Sequence, residues 1–126
     1  MSPTIMVVED ESATRRLYRF LLQNSGYNVV EAEDGVDALE KLMVHKCDLI
    51  ITDMNMPRMD GLDLVRTLRQ NQSQVYVIMV TAFGTPDTEK KAFRAGVNEY
   101  LTKPFDFDEL ERRLQKYFAR QNQGDD

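Results

Sequence analysis

Leu49-Ile50-Ile51-Thr52-Asp53 is a run of four uncharged residues, three of them β-branched, that ends on a carboxylate. β-Branched side chains fit a pleated surface and lose rotamer freedom in a helix, so the run reads as a strand. It does not alternate between apolar and polar residues, which marks a strand covered on both faces. Asp53 is the first residue a core would refuse, and it stands at the carboxyl end.

Working outward, Thr4 to Val8 and Val75 to Thr81 repeat this construction, and Asn28 to Ala32 and Glu99 to Thr102 read as two further short strands. The segments between them carry helical spacing. Ala13, Leu17, Phe20 and Leu21 recur at i, i+4, i+7 and i+8, as do Leu110, Leu114, Tyr117 and Phe118. Leu39, Leu42 and Met43 mark a second helix, and Leu62, Val65 and Leu68 a third. Ala92 and Ala95 mark a fourth around 85–95, with Phe93 open to either side. Gly26, Gly61 and Gly96 fall at element ends, and Asp106 with Glu109 resembles a capping box at the last helix. The prediction is an α/β fold, (βα) five times over: a doubly wound parallel sheet with helices on both faces and right-handed crossovers. It forms one domain over 1–120, and 121–126 reads as a polar tail with nothing to pack.

Composition narrows the function. The 126 residues are 42% hydrophobic and 29% charged, the balance of a soluble globule. No apolar run is long enough to span a bilayer, and the start lacks a secretory pattern, so no membrane role is expected. One cysteine, Cys47, cannot close an internal disulfide, which fits a cytoplasmic setting. A net charge of −5, from 16 basic and 21 acidic residues, argues against direct DNA binding. One histidine, His45, and one cysteine cannot build a structural zinc tetrad. His45 reads as a surface residue, Cys47 as a small packing residue, and the Arg112, Arg113, Lys116 and Arg120 set as cations favouring the last helix's C-terminal dipole.

The ends of the predicted strands carry the chemistry. Glu9, Asp10 and Glu11 follow the first, Asp53 ends the third with Asn55 two residues on, Thr81 ends the fourth, and Lys103 follows the fifth. In a parallel sheet these positions converge on one rim, where functional groups of such folds gather. Clustered carboxylates repel, and a hard divalent cation relieves them. Mg²⁺ suits one or two carboxylates completed by waters and a phosphate oxygen. A carboxylate nucleophile, a metal, an ammonium and a hydroxyl together suit phosphoryl transfer. Each residue also has a plain reading: an acidic helix start, a cap, a strand-end hydroxyl, a half-buried tyrosine, a turn lysine. Those readings do not account for the convergence.

Val7-Val8-Glu9-Asp10, the stretch from Asp53 through Asn55-Met56-Pro57 to Gly61, Thr81-Ala82, and Tyr100-Leu101-Thr102-Lys103-Pro104-Phe105 together resemble the receiver domains of two-component response regulators, and the single-domain chemotaxis regulators among them. The resemblance runs over nearly the whole chain. It implies the flavodoxin-like strand order 2-1-3-4-5 and a bacterial signalling protein that is no enzyme beyond its own phosphotransfer and dephosphorylation. It implies Asp53 as phosphoacceptor, with Mg²⁺ (or Mn²⁺) held by Asp10, Asp53, the Asn55 main-chain carbonyl and, through water, Glu9. Lys103 and Thr81 would hold phosphoryl oxygens, Thr81 and Tyr100 would form the switch, and Lys103 and Pro104 would share a cis peptide. Ala82 and Phe83 would govern access. The implied partners are a sensor histidine kinase and an unidentified downstream protein, contacted through the face of the fourth helix, fifth strand and fifth helix. The chain would be a monomer or a weak phosphorylation-dependent dimer. Exposed charges are expected on that face at Lys90, Lys91, Glu99 and Arg113. Three other readings compete. An aspartate-nucleophile phosphatase would want a second aspartate where Asn55 stands. A flavodoxin-like electron carrier would be repelled by Glu9-Asp10-Glu11. A pseudo-receiver that only binds partners would not need the acidic pair, Asp53, Thr81 and Lys103.

Overall fold

Two stripes of apolar side chains leave each strand, because successive Cβ atoms point to opposite faces, and each stripe must find its own helical cover. The computed structural model describes residues 2–124 and shows how this is met. Strands β1 (Thr4–Val8), β2 (Asn28–Ala32), β3 (Leu49–Asp53), β4 (Tyr76–Thr81) and β5 (Glu99–Thr102) form one parallel sheet in the order β2-β1-β3-β4-β5. Helices α1 (Ser12–Asn24), α2 (Gly35–Leu42), α3 (Gly61–Gln70), α4 (Pro86–Ala95) and α5 (Phe107–Gly124) fill the crossovers. Met6, Val8, Ile50, Val77 and Met79 face one way and pack with Ala38, Leu64, Leu68 and Ala92, so α2, α3 and α4 cover that side. Ile5, Val7, Leu49, Ile51, Ile78 and Val80 face the other way, against Leu22 of α1 and Leu110 and Leu114 of α5. No helix among the described residues is long and apolar enough to cross a membrane.

The predicted α/β fold, with its strand order, is therefore what forms, and four differences are instructive. β4 starts at Tyr76 rather than Val75, because the Val75 N–H donates to the Ser73 hydroxyl at 3.3 Å. On α1 the expected stripe is largely outside: Leu17 and Phe20 are 57% and 61% exposed, while Leu22 is fully buried. α5 runs to Gly124, past the expected boundary at 120, so the Arg112 to Arg120 cations do not lie in its last turn. The capping box is found at α4, where the Thr85 and Thr88 side chains each take the other's backbone N–H. At α5 the Glu109 N–H reaches the Asp106 main-chain carbonyl instead.

The rim is held by backbone bonds that continue the ladder past the strand ends. The Glu9 N–H donates to the Ala32 carbonyl at 3.0 Å, Met54 to Val80 at 3.2 Å, and Lys103 to Thr81 at 2.8 Å. Asp53 is followed by a loop that folds straight back, with the Gly61 N–H on the Met54 carbonyl at 2.8 Å. Asp60 caps α3 there by accepting from the Asp63 N–H. A Cβ on Gly61 would lie 2.2 Å from the Asp53 carbonyl oxygen. This close approach fixes the turn. Gly61→Ala should lower the urea midpoint of unfolding by the equivalent of about 1–3 kcal/mol, the usual cost of overpacking a rigid site. An unchanged midpoint would show that the turn yields freely.

Candidate functional site

Glu9, Asp10 and Asp53 come from the ends of adjacent strands, and one carboxylate oxygen from each lies within 4.8 Å of the others. Lys103 enters from β5's end, its Nζ 3.2 Å from Asp53 Oδ2 and 3.8 Å from Glu9 Oε1. Asp10 is exposed and Asp53 half-buried, whereas Glu9 is buried at 5% exposure. Among the described residues, Glu9 Oε2 is the one buried side-chain oxygen without a hydrogen-bond partner. Burial pushes the Glu9 carboxyl up to about 7; the Asp53 carboxylate beside it adds to this, and Lys103 opposes it. The orphaned oxygen faces an all-oxygen donor set, the kind a hard divalent cation takes.

Of the remaining expected residues, Asn55 reaches this group through its main-chain N–H, while the Thr81 and Tyr100 hydroxyls bond elsewhere. Thr81 is fully buried, and its hydroxyl accepts the Phe83 N–H at 3.2 Å. The Tyr100 hydroxyl lies 3.0 Å from Thr88 Oγ1 on α4. Asn55 is exposed, its N–H 3.4 Å from Asp53 Oδ1. Ala82 and Phe83 are also exposed, Phe83 at 75%. The Lys103–Pro104 peptide is cis, as the resemblance implies.

Other residues that shape the site carry no local signal in the sequence. The Arg15 guanidinium donates to the Glu9 carbonyl at 2.7 Å and pairs with Glu31 at 3.2 Å. Arg58, at φ 63°, grips buried Asp34 with two bonds of 2.6 and 3.0 Å. That guanidinium holds the Asp34 carboxyl below its ordinary value, and Asp34 in turn caps α2 through the Asp37 N–H. The Asp53 loop is thereby pinned to the neighbouring strand–helix junction. On the other side, burial chiefly, with the Glu9 and Asp53 charges, pushes the Tyr18 phenol up. Tyr18, with Leu17 and Leu21, forms one wall of a groove of about 360 Å³ whose other wall is Lys103, Pro104 and Phe105. The apolar spacing of α1 is visible in the sequence, but the outward direction of the Leu17 and Phe20 side chains is not.

Comparison with known proteins agrees with this geometry. Residues 5–115 match the family described as the response regulator receiver domain. The chemotaxis protein CheY of Pseudomonas aeruginosa is 40% identical over 121 residues, covering 94% of this chain and 98% of that protein. The alkaline phosphatase synthesis transcriptional regulatory protein PhoP of Bacillus subtilis is 34% identical over 95% of this chain, which spans 50% of its length. The receiver domain of the Francisella response regulator 1452 superposes with a TM-score of 0.90 at 28% identity, covering 95% of this chain and 99% of that one. Vibrio cholerae CheY4 superposes with a TM-score of 0.85 at 31% identity, covering 92% and 98%. With an acidic rim at the carboxyl ends of a 2-1-3-4-5 sheet and a family match over most of its length, the chain belongs to the response regulator receiver domains of two-component signalling.

Proposed function

We propose that the chain is a phosphorylation-activated signalling switch in which Asp53 receives a phosphoryl group from the phosphohistidine of a sensor histidine kinase, or from a small acyl phosphate. The observation that carries this reading is the Asp53 carboxylate held between Glu9 and Asp10 on one side and the Lys103 ammonium on the other. An Asp53 oxygen attacks phosphorus and forms the acyl-phosphate bond. The bond from phosphorus to the donor breaks, and its electron pair returns to the imidazole nitrogen of the phosphohistidine or to the carboxylate oxygen of the acyl phosphate. Lys103 then faces the equatorial oxygens, and Thr81 turns its hydroxyl from the Phe83 N–H toward them. Asp10, Asp53 and the Asn55 main-chain carbonyl would hold Mg²⁺ (or Mn²⁺), with Glu9 acting through water. The ion supplies charge neutralisation at the phosphoryl oxygens. Only this self-directed transfer and its reversal by water are chemical steps, so the chain regulates rather than turns over a substrate. Burial pushes the Cys47 thiol up to about 11, so it stays unreactive, which suits the cytoplasm.

The groove between α1 and the Lys103–Phe105 segment is lined by Lys103, whose Nζ lies 3.2 Å from Asp53, and by exposed Leu17. It suits an apolar helix face of the kinase. The signal leaves from α4, β5 and α5 through an unidentified protein, or through weak self-pairing, without DNA contact. Two of the charges expected there are spent internally: Arg113 binds Glu99 at 2.9 Å and also Glu109. Lys90 and Lys91 remain exposed for reversible electrostatic contact.

Three outcomes follow. Intact-mass analysis with a small phosphodonor should show one added phosphoryl that requires Mg²⁺. It should be lost in Asp53→Ala and in Asp10→Ala and slowed roughly 10²-fold in Lys103→Ala. A wild-type protein left unmodified with donor and Mg²⁺ would refute the function. In chelator at pH 8, Glu9 is ionised against Asp53, so Glu9→Gln should be more stable than wild type by about 1–3 kcal/mol. Its raised folded-state pKa makes wild type lose stability as pH rises toward 7, so by pH 5 the gap should close. A gap that is equal at both pH values would remove Glu9 from the account. Last, Phe83 at the mouth of the site screens the phosphoryl group from water, so phosphorylated Phe83→Ala should decay faster than wild type. Equal or slower decay would show that Phe83 is no gate.

A further inference from the structure

Thr88 Oγ1 is surrounded by more hydrogen-bonding groups than one hydroxyl needs. It lies 2.9 Å from the Thr85 carbonyl, 2.8 Å from the Thr85 N–H, 3.2 Å from Thr85 Oγ1 and 3.0 Å from the Tyr100 hydroxyl. A hydroxyl has one proton and two acceptor sites. The carbonyl can only accept, so the Thr88 proton goes there. The Thr85 N–H fills one acceptor site, and the Tyr100 O–H, closer than Thr85 Oγ1, fills the other. The capping box of α4 and the placement of the Tyr100 hydroxyl are thus one saturated hydrogen-bonded unit.

We propose that Thr88 is a positioning residue that latches Tyr100 in the resting state and couples its release to the first turn of α4. This rests on the reading of Thr81 and Tyr100 as the switch. Between Thr81 and Thr85 lie only Ala82, Phe83 and Gly84, a connection too short to absorb a shift of Thr81. The loop also runs against the tyrosine: a Cβ on Gly84 would lie 3.1 Å from the Tyr100 hydroxyl and 2.4 Å from Thr102 Cγ2. When Thr81 turns toward the phosphoryl group it releases the Phe83 N–H, draws the loop with it, and disturbs the Thr85 bonds that orient Thr88 Oγ1. Tyr100 then loses its acceptor as space opens near Thr81. Conversely, loss of the Tyr100 bond loosens the α4 cap. Asp87, Glu89 and Lys90 of that turn are exposed, so the change reaches the surface without further rearrangement.

Two measurements on the intact chain test this. Amide exchange in Tyr100→Phe, which removes only the hydroxyl, should speed up at Thr85 by roughly two- to tenfold, the range of a single hydrogen bond. Unchanged exchange at Thr85 overturns the coupling. Fluorotyrosine placed at position 100 reports the ring by ¹⁹F NMR. Without phosphodonor, Thr88→Val should displace the signal, and Thr88→Ser, which keeps the hydroxyl, should match wild type. If Thr88→Val matches wild type, or if Thr88→Ser moves as far as Thr88→Val, the latch is wrong. Beryllofluoride with Mg²⁺ is the separate control. A wild-type signal that ignores it defeats the reading of Tyr100 as a switch, while the latch is still judged by the resting-state comparison.

Discussion

Burying carboxylates close together costs free energy, and this fold sets three of them at one rim with the Lys103 ammonium against two. The parallel sheet makes this unavoidable. Every strand delivers its carboxyl end to the same edge, and of the neighbours β1 and β3 the first is followed directly by Glu9 and Asp10 and the second ends in Asp53. Glu9 bears the strain most directly, since burial deprives it of water while Asp53 raises the cost of its charge. A rim of this kind has a low affinity for its own charges and a high affinity for a cation or for any group that spreads the charge of Asp53.

Such an arrangement persists only if its backbone cannot relax away from it. The ladder bonds that continue beyond the strand ends hold Glu9, Met54 and Lys103 in place. The Arg15 guanidinium fixes the Glu9 carbonyl, and the Arg58–Asp34 pair ties the Asp53 loop to the start of α2. The Arg58 pair is partly buried and bidentate, the geometry in which an ion pair gives orientation as well as attraction. The segment from Thr81 to Thr85 is built differently. Beyond buried Thr81 its side chains are exposed, and it is anchored mainly by side-chain hydroxyls, so it is the part of the rim best able to move.

The sequence was most legible where a single period governs a residue's environment. The strands around Leu49 to Asp53 and Thr4 to Val8 appear with the residues expected, because burial on both faces leaves an unbroken apolar run. The acids at their ends were legible for the same reason: they interrupt such runs. Periodicity shows that a helix has a stripe but not which way the stripe faces, so Leu17 and Phe20 read as ordinary helix spacing although they are exposed. Pairings between distant residues leave no period. Arg58 with Asp34, Arg113 with Glu99 and Tyr100 with Thr88 depend on how elements dock, and none is marked in the local pattern.

The exposed stripe of α1 and the Thr88–Tyr100 unit of α4 lie in opposite layers of the molecule. Tyr18 packs with the core shared by α1 and α5, and Tyr100 packs with the core shared by α2, α3 and α4. If Asp53 is the phosphoacceptor proposed above, its chemistry is the same for any phosphodonor, and a protein donor is then chosen by the surface around the site rather than by the reacting atoms. α1 offers apolar area for that choice, next to the site and away from α4. A donor seated there would leave α4, whose Thr88 contacts Tyr100, uncovered. Near Asp53 the two layers meet at the sheet edge, where Asp53 of β3 and Thr81 of β4 end adjacent strands. On the function proposed above, input and response would then lie on opposite sides of the sheet and be joined through these two side chains at its rim.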